Sequence, residues 1–302
     1  MAEADRAPDP FGTCGRTAQE RPTDPWDRQR VVAFSAKRTA AERAKSSKAC
    51  CYSWYVPCPG GRAYRAESGE AVVAALSSRD DWMVEVGRAE TAGLAPGDRE
   101  SLAQQWSREA SFEHASVASF SQLALDLLAV GAPADMVAAC LRAALDEVDH
   151  ASRAFTLASR YAQKPIGPGA LDRRLRQPLP LAALAVTTFE DGCIGESLAS
   201  VVLAERARET SDPVLREMLA TTANDEERHA ELAWRIVAGT LSVGGEEVSV
   251  ALTRARDDVA TELASGRSTW SSEARGDVLR HIVLPCIDRA LEAGSKRRSV
   301  VV

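Results

Sequence analysis

A glutamate followed three residues later by a histidine occurs twice in this 302-residue chain, as Glu147-Val-Asp-His150 and Glu226-Glu-Arg-His229. On a helix, a three-residue step puts both side chains on one face. A carboxylate and an imidazole one turn apart can therefore share a metal ion. Each step is matched by a lone glutamate one helix earlier, Glu113 in REASFEHASVASF and Glu196 in FEDGCIGESLAS. With only four histidines in the chain, two such steps are more than composition supplies. Carboxylate and imidazole ligands suit iron or manganese and leave open positions for oxygen.

Four helices must position these six side chains, and turn chemistry delimits them. Pro96-Gly97 opens the first; Gly131-Ala-Pro133 closes it and opens the second, with proline suited to a first helical position. The second ends near Tyr161. A Pro/Gly-rich connection of 17 residues follows, KPIGPGALDRRLRQPLP. A connection of that length is unusual inside a compact domain unless two successive helices run parallel. The third helix is expected from about Pro180 to Glu209. Asp212-Pro213 caps the fourth, which ends near Gly239–Gly244. Two further helices are expected at about 247–264 and 271–293, the latter kinked at Pro285.

The spacing is consistent within both hairpins. Glu113 lies 18 residues before Gly131 and Glu147 lies 16 after it, which at the helical rise puts both about 24–27 Å from the turn. Glu196 and Glu226 each lie 15 residues from Ser211, about 22 Å from theirs. The carboxylates are level and in mid-helix, where a helical core is deepest. Apolar residues flank them: Phe112, Val117, Phe120; Leu141, Leu145, Phe155; Phe189, Ile194, Leu198, Val201; Leu219, Leu232, Ile236. Buried carboxylates are costly unless paired or bound to cations, and a metal pair resolves that conflict.

Composition limits the alternatives. Apolar content of 45% with 26% charge describes an ordinary globular chain, and the alanine-rich stretch 97–265 favours helix over strand. A net charge of -6 argues against a general polyanion binder. No apolar run approaches a membrane span, and MAEADRAPDP has no apolar core, so neither a membrane nor a secretion signal is expected and the cytoplasm is the expected compartment. Residues 1–49 read as a largely disordered polar segment; the stretch 28–48 holds seven Lys/Arg against the single Glu42 and reads as a solvated tail. Residues 50–95 read as a short irregular or hairpin segment around a Pro-Gly-Gly turn, 96–244 as the metal-binding helical unit, and 245–302 as further helices with a basic tail. Cys14, Cys50, Cys51 and Cys58 lack paired C-x-x-C spacing and read as free thiols.

Other polar residues take lesser parts. His114 points about 100° away from Glu113 and reads as core or as a neighbour of the ligands. His281 has no carboxylate three residues before it and reads as structural. Glu109, one turn before Glu113, could replace or supplement it. Glu190 faces elsewhere, Glu227 lacks the step to a histidine, and Cys193 reads as a small core residue. Asp225 and Asp149 are candidates to hold the ligand histidines by hydrogen bonds.

Over about residues 97–240 the pattern resembles the ferritin-like superfamily of di-iron carboxylate proteins, which includes bacterioferritins, rubrerythrins, N-oxygenases and the tRNA-modifying hydroxylase. The resemblance implies an all-α, ferritin-like four-helix bundle with a long crossover between its second and third helices, here extended by C-terminal helices. It implies two irons held by Glu113, Glu147, His150, Glu196, Glu226 and His229, with Glu147 and Glu226 bridging, Glu113 and Glu196 terminal, and one histidine on each metal. The expected activity is a non-haem di-iron oxidase or oxygenase that uses dioxygen or peroxide on a small or carrier-bound substrate. The chain lacks a rubredoxin-like four-cysteine site, so an external electron donor is expected. A ferroxidase and a non-enzymatic binding scaffold are the alternatives; nucleic acid is not expected as a partner, and the form expected beside the single chain is a homodimer.

Overall fold

The computed structural model describes residues 64–65, 71–87, 93–172, 177–265 and 273–299. The expectations for residues 1–49, including the basic stretch 28–48, and for Cys14, Cys50, Cys51 and Cys58 fall outside them. The described chain is mostly helical, as its composition predicts. Helix α1 spans Pro96–Ala129 and α2 spans Ala134–Ala162. The third rod is composite: α3 Leu181–Thr187, a π-helical segment Thr188–Glu196, and α4 Ser197–Glu209. Helix α5 spans Pro213–Val243. Helices α6 Gly245–Ser265, α7 Glu273–Val278 and α8 Leu284–Ser299 follow, the last two joined by a π-helical turn, Leu279–Val283.

The ends follow the turn chemistry. Pro96 and Pro213 occupy first-turn positions. Asp212 Oδ1 accepts from Val214 N at 2.8 Å and Leu215 N at 3.3 Å, satisfying two otherwise orphaned donors of α5. Gly131 follows α1 at φ +69, a left-handed conformation that glycine adopts without strain. The four-residue link between α1 and α2 makes them an antiparallel hairpin, and the short link at Thr210–Asp212 does the same for the third rod and α5.

The two hairpins share apolar cores. Trp106 and Ala110 of α1, Phe155 and Leu157 of α2, Leu203 of α4 and Leu219 of α5 lie in one cluster, so all four rods meet there. A second cluster joins Phe120 and Leu123 to Cys140, Leu184, Leu232 and Ile236. A third lies behind the composite rod, where Phe189, Cys193, Ile194 and Leu198 pack with Val237, Val248, Leu252, Leu279 and Ile287. The C-terminal helices thus bury the back of the rod that carries Glu196.

The connection between α2 and α3 is long but tethered. Its strand β2 (Gly167–Pro168) pairs antiparallel with β1 (Leu76–Ser77), matching Leu76 to Pro168 and Ser77 to Gly167. Gly169 N donates to Ala75 O at 2.6 Å, and a Cβ at Gly169 would stand 2.9 Å from that same oxygen, so only glycine fits. Ile166 N donates to Ser159 Oγ at 2.9 Å. Residues 71–87 form a strap across α1 and α2: Val84 N donates to Thr156 Oγ1 at 2.9 Å, Arg160 donates to the carbonyls of Val86 and Gly87, and Trp82 packs edge-on against His114 and Phe155.

Three expectations need correction. Leu141 and Leu145 do not face the interior: they are 51% and 68% exposed. The inward face of α2 runs through Cys140, Ala144, Glu147, Ala151 and Ala158, and each leucine stands one residue, about 100°, beyond it. The third rod is not a plain α-helix, since nine residues of it are π-helical; Gly192 and Gly195 within that stretch weaken its α preference. Near Pro285 the chain widens into the π turn Leu279–Val283 just before the proline, which makes room for a ring that would otherwise strike the preceding turn.

Because Asp212 alone caps the helix carrying Glu226 and His229, Asp212→Ala should lower stability by about 1 kcal/mol, measured as a shift in the urea midpoint with unchanged slope.

Candidate metal centre

The six candidate ligands come together. Glu113 from α1, Glu147 and His150 from α2, Glu226 from α5, and separately Glu196 from the π-helical segment with Glu226 and His229, form two groups that could each hold a metal ion, with ligand atoms within 4.8 Å of one another inside each group. All six residues are buried, and Glu147, Glu196 and Glu226 have no exposed surface.

The two carboxylates of the Glu-x-x-His helices lie between the histidines. Glu147 puts Oε2 3.7 Å from His150 Nδ1 and Oε1 3.3 Å from His229 Nδ1. Glu226 does the same in mirror fashion, Oε1 at 3.8 Å from His150 Nδ1 and Oε2 at 3.3 Å from His229 Nδ1. Each therefore offers one oxygen to each half of the site. Glu113 serves only the first half, with Oε2 3.9 Å from His150 Nδ1, and Glu196 only the second.

The far nitrogens of the histidines are held crosswise. His150 Nε2 donates to Asp225 Oδ2 at 3.0 Å, and His229 Nε2 donates to Asp146 Oδ2 at 3.1 Å. Each imidazole is thus anchored by the aspartate that precedes the glutamate on the opposite helix. Such a bond fixes the ring and turns Nδ1 toward the carboxylates, where it carries a proton in the metal-free site and would offer a lone pair once that proton is lost. Arg228 spans both aspartates, 2.6 Å from Asp225 and 3.3 Å from Asp146. Phe120 packs edge-on against His229, ring centres 5.0 Å apart.

Asp225 was legible in sequence; Asp146 and Arg228 were not. The available signal was the repeated Asp-Glu pair, Asp146-Glu147 and Asp225-Glu226, which makes both steps Asp-Glu-x-x-His. Asp149, the other candidate, instead pairs with Arg153 at 2.6 Å. Glu109 does not join either metal group; Arg206 holds it at 3.3 and 3.4 Å. His114 packs on Trp82, Cys193 is buried in the rear core, and Glu227 is exposed. His281, read as structural, is largely exposed beside Asp277.

Electrostatics describe a site built for cations. Burial, reinforced by Glu147, holds the Glu113 carboxyl well above its ordinary pKa; burial, reinforced by Glu226, does the same to Glu196. Burial would also raise Glu147, but the imidazoles of His150 and His229, 3.7 and 3.3 Å away and positive when protonated, outweigh it and hold Glu147 below the usual carboxylate range. Both histidines are raised: burial opposes their charge, but Asp225 and Glu147 prevail at His150, and Asp146, Glu147 and Glu226 at His229. Without a metal, protons supply the positive charge.

The donor set fits a pair of divalent ions. Seven ligand atoms are buried with no hydrogen-bond partner: Glu113 Oε2, both Glu147 oxygens, His150 Nδ1, both Glu196 oxygens and Glu226 Oε1. Orphaned buried polar atoms are rare in folded proteins, and here they converge. Four carboxylates would balance two divalent cations, leaving a neutral core.

No family model, no curated protein and no solved structure matches this chain. The centre therefore stands on its own geometry.

Two outcomes are expected. Glu147→Ala and Glu226→Ala should each lose both ions and Glu196→Ala only one, counted by elemental analysis; two ions per chain in all three would overturn the assignment. Because ions must displace protons from the raised groups, affinity should rise with pH, falling about tenfold per pH unit for each proton displaced as pH is lowered, measured by titration across pH 5.5–8 (roughly the range where the fold is expected to persist).

Proposed function

We propose that this chain is a ferritin-like di-iron carboxylate oxidoreductase that activates dioxygen or peroxide. The observation that carries this reading is the pair of carboxylates, Glu147 and Glu226, each presenting one oxygen to each histidine. That arrangement suits two ions held side by side rather than a single one. Oxygen and imidazole donors favour iron or manganese among redox-active metals.

Bound there, a metal pair would supply electrons to an oxidant and stabilise developing negative charge. The protein's own contribution is legible residue by residue. Glu113 and Glu196 would each complete one half of the site. Asp225 and Asp146 orient the imidazoles, and Arg228 braces both aspartates. Phe120, nearly without exposed surface and edge-on to His229, helps exclude bulk water there. The substrate would be a small or carrier-bound molecule, with reducing equivalents from an external donor.

A second reading, oxidation of ferrous iron itself, is favoured by one observation. The cavity that reaches Glu113 and His150 has a volume of about 20 Å³, which is room for little more than one water-sized molecule. Small reactants fit that space without rearrangement, and an organic substrate does not.

Anaerobic loading with Fe(II), then exposure to air with oxygen uptake recorded, tests both. Two irons per chain with oxygen uptake that stops after one turnover, and resumes with a reductant, supports the oxidoreductase; uptake that continues with added Fe(II) alone supports the ferroxidase. No stoichiometric iron, or bound iron inert to oxygen, would overturn the proposal and leave a binding scaffold.

A further inference from the structure

The two halves of the centre differ in access. Glu196 has no exposed surface, whereas Glu113 retains 8%. That remnant belongs to the small cavity, whose wall includes Glu113 and His150 but none of Glu196, Glu226 or His229. The rest of the wall is largely apolar, with Trp106, Leu203, Met218 and the hydroxyl-bearing Thr222. Glu109, one turn before Glu113 on the same face of α1, also lines it.

Two facts identify the class of particle that the cavity suits. The arginine in its wall, Arg153, is paired with Asp149, and Arg206, outside the wall, is paired with Glu109. Glu113 Oε2 is buried and has no hydrogen-bond partner. The unmet demand in the cavity is thus for positive charge. At about 20 Å³ it passes one water-sized particle at a time, so a cation moving through must shed most of its water. A carboxylate on the way replaces those lost ligands.

Glu109 is placed and held for that task. Its hydrogen bonds from Arg206, 3.3 and 3.4 Å, and from Gln105, 3.4 Å, are long. Charge-assisted pairs normally close to about 2.7–2.9 Å, so this latch is loose. In the same position Arg206 also lies over the ring of Trp106 at 5.5 Å, a contact that does not depend on Glu109.

We propose that Glu109 is a transit ligand through which divalent cations pass along this cavity to the Glu113/His150 half of the centre, with Arg206 as its latch, while the Glu196/His229 half does not line this cavity. The inference rests on the di-metal reading above. It makes the two ions kinetically unequal: one exchanges through the cavity, and the other waits on larger motion of the rods.

The test uses the full chain loaded with two Co(II), chased with Zn(II) in large excess, so that released cobalt is not rebound. Loss of the cobalt visible absorption reports exchange without any activity assay. Two phases of equal amplitude are expected. Glu109→Gln should slow the fast phase by about tenfold, the equivalent of about 1.4 kcal/mol of barrier, and leave the slow phase alone. Arg206→Gln, which frees the carboxylate, should speed the fast phase. Thr222→Met, which narrows the cavity without touching a charge, should slow it. Stoichiometric cobalt with a single exchange phase, or a fast phase that Glu109→Gln and Thr222→Met leave unchanged, would overturn the transit role alone. Absence of stoichiometric cobalt from the unaltered protein would overturn the di-metal reading and this inference together.

Discussion

Burying four carboxylates and two imidazoles in an otherwise apolar interior is the constraint on which the rest of this structure depends. Charged groups removed from water are destabilising by several kcal/mol each unless something compensates them. Here the compensation is mutual. The histidines hold Glu147 ionised, while Glu113 and Glu196, with weaker support, are driven toward their neutral form. Divalent cations would replace those protons with the same total charge and would also satisfy the orphaned oxygens. The centre is therefore poised between a protonated form and a metal-bound one.

The supporting residues give that cluster its shape. Each histidine is anchored by an aspartate from the opposite helix, so α2 and α5 are cross-linked through their own ligands. Arg228, more than half exposed, ties both anchors together at the surface. A displacement of either helix would disturb both halves at once. Around this pair the scaffold is less symmetrical. Glu113 comes from a regular helix with a cavity beside it, and Glu196 from a π-helical segment whose back is buried by α6–α8. π-helical turns are uncommon and tend to occur where a side chain must be aimed.

That asymmetry bears on function. A small cavity lies beside Glu113 and His150, whereas Glu196 has no exposed surface and does not line it, so the surroundings of the two halves differ. The strap 71–87 ties the connection between α2 and α3 to the first hairpin, through β1–β2, Val84 on Thr156 and Trp82 on His114 and Phe155.

Much of the centre could be read from spacing alone, because helical geometry is rigid. Three-residue steps put Glu147 with His150 and Glu226 with His229, and equal distances from a turn put the partner glutamates level with them. Helix ends marked by Pro96, Gly131, Asp212 and Pro213 were legible for the same reason: they are local rules of backbone conformation and capping. What depended on the third dimension was not. Asp146 rather than Asp149 anchors a histidine, because that contact crosses between helices and no spacing within one helix encodes it. Leu141 and Leu145 lie on the outside although they are apolar, since which face of α2 turns inward is settled by its neighbours. The π-helical segment beneath Glu196 and the cavity beside Glu113 belong to packing among several elements. The sequence by itself determined which residues could bind metal and at what height; the tertiary structure decided which oxygen faces which histidine and which half of the centre has a cavity beside it, because those depend on distances between helices that the chain connects only through loops.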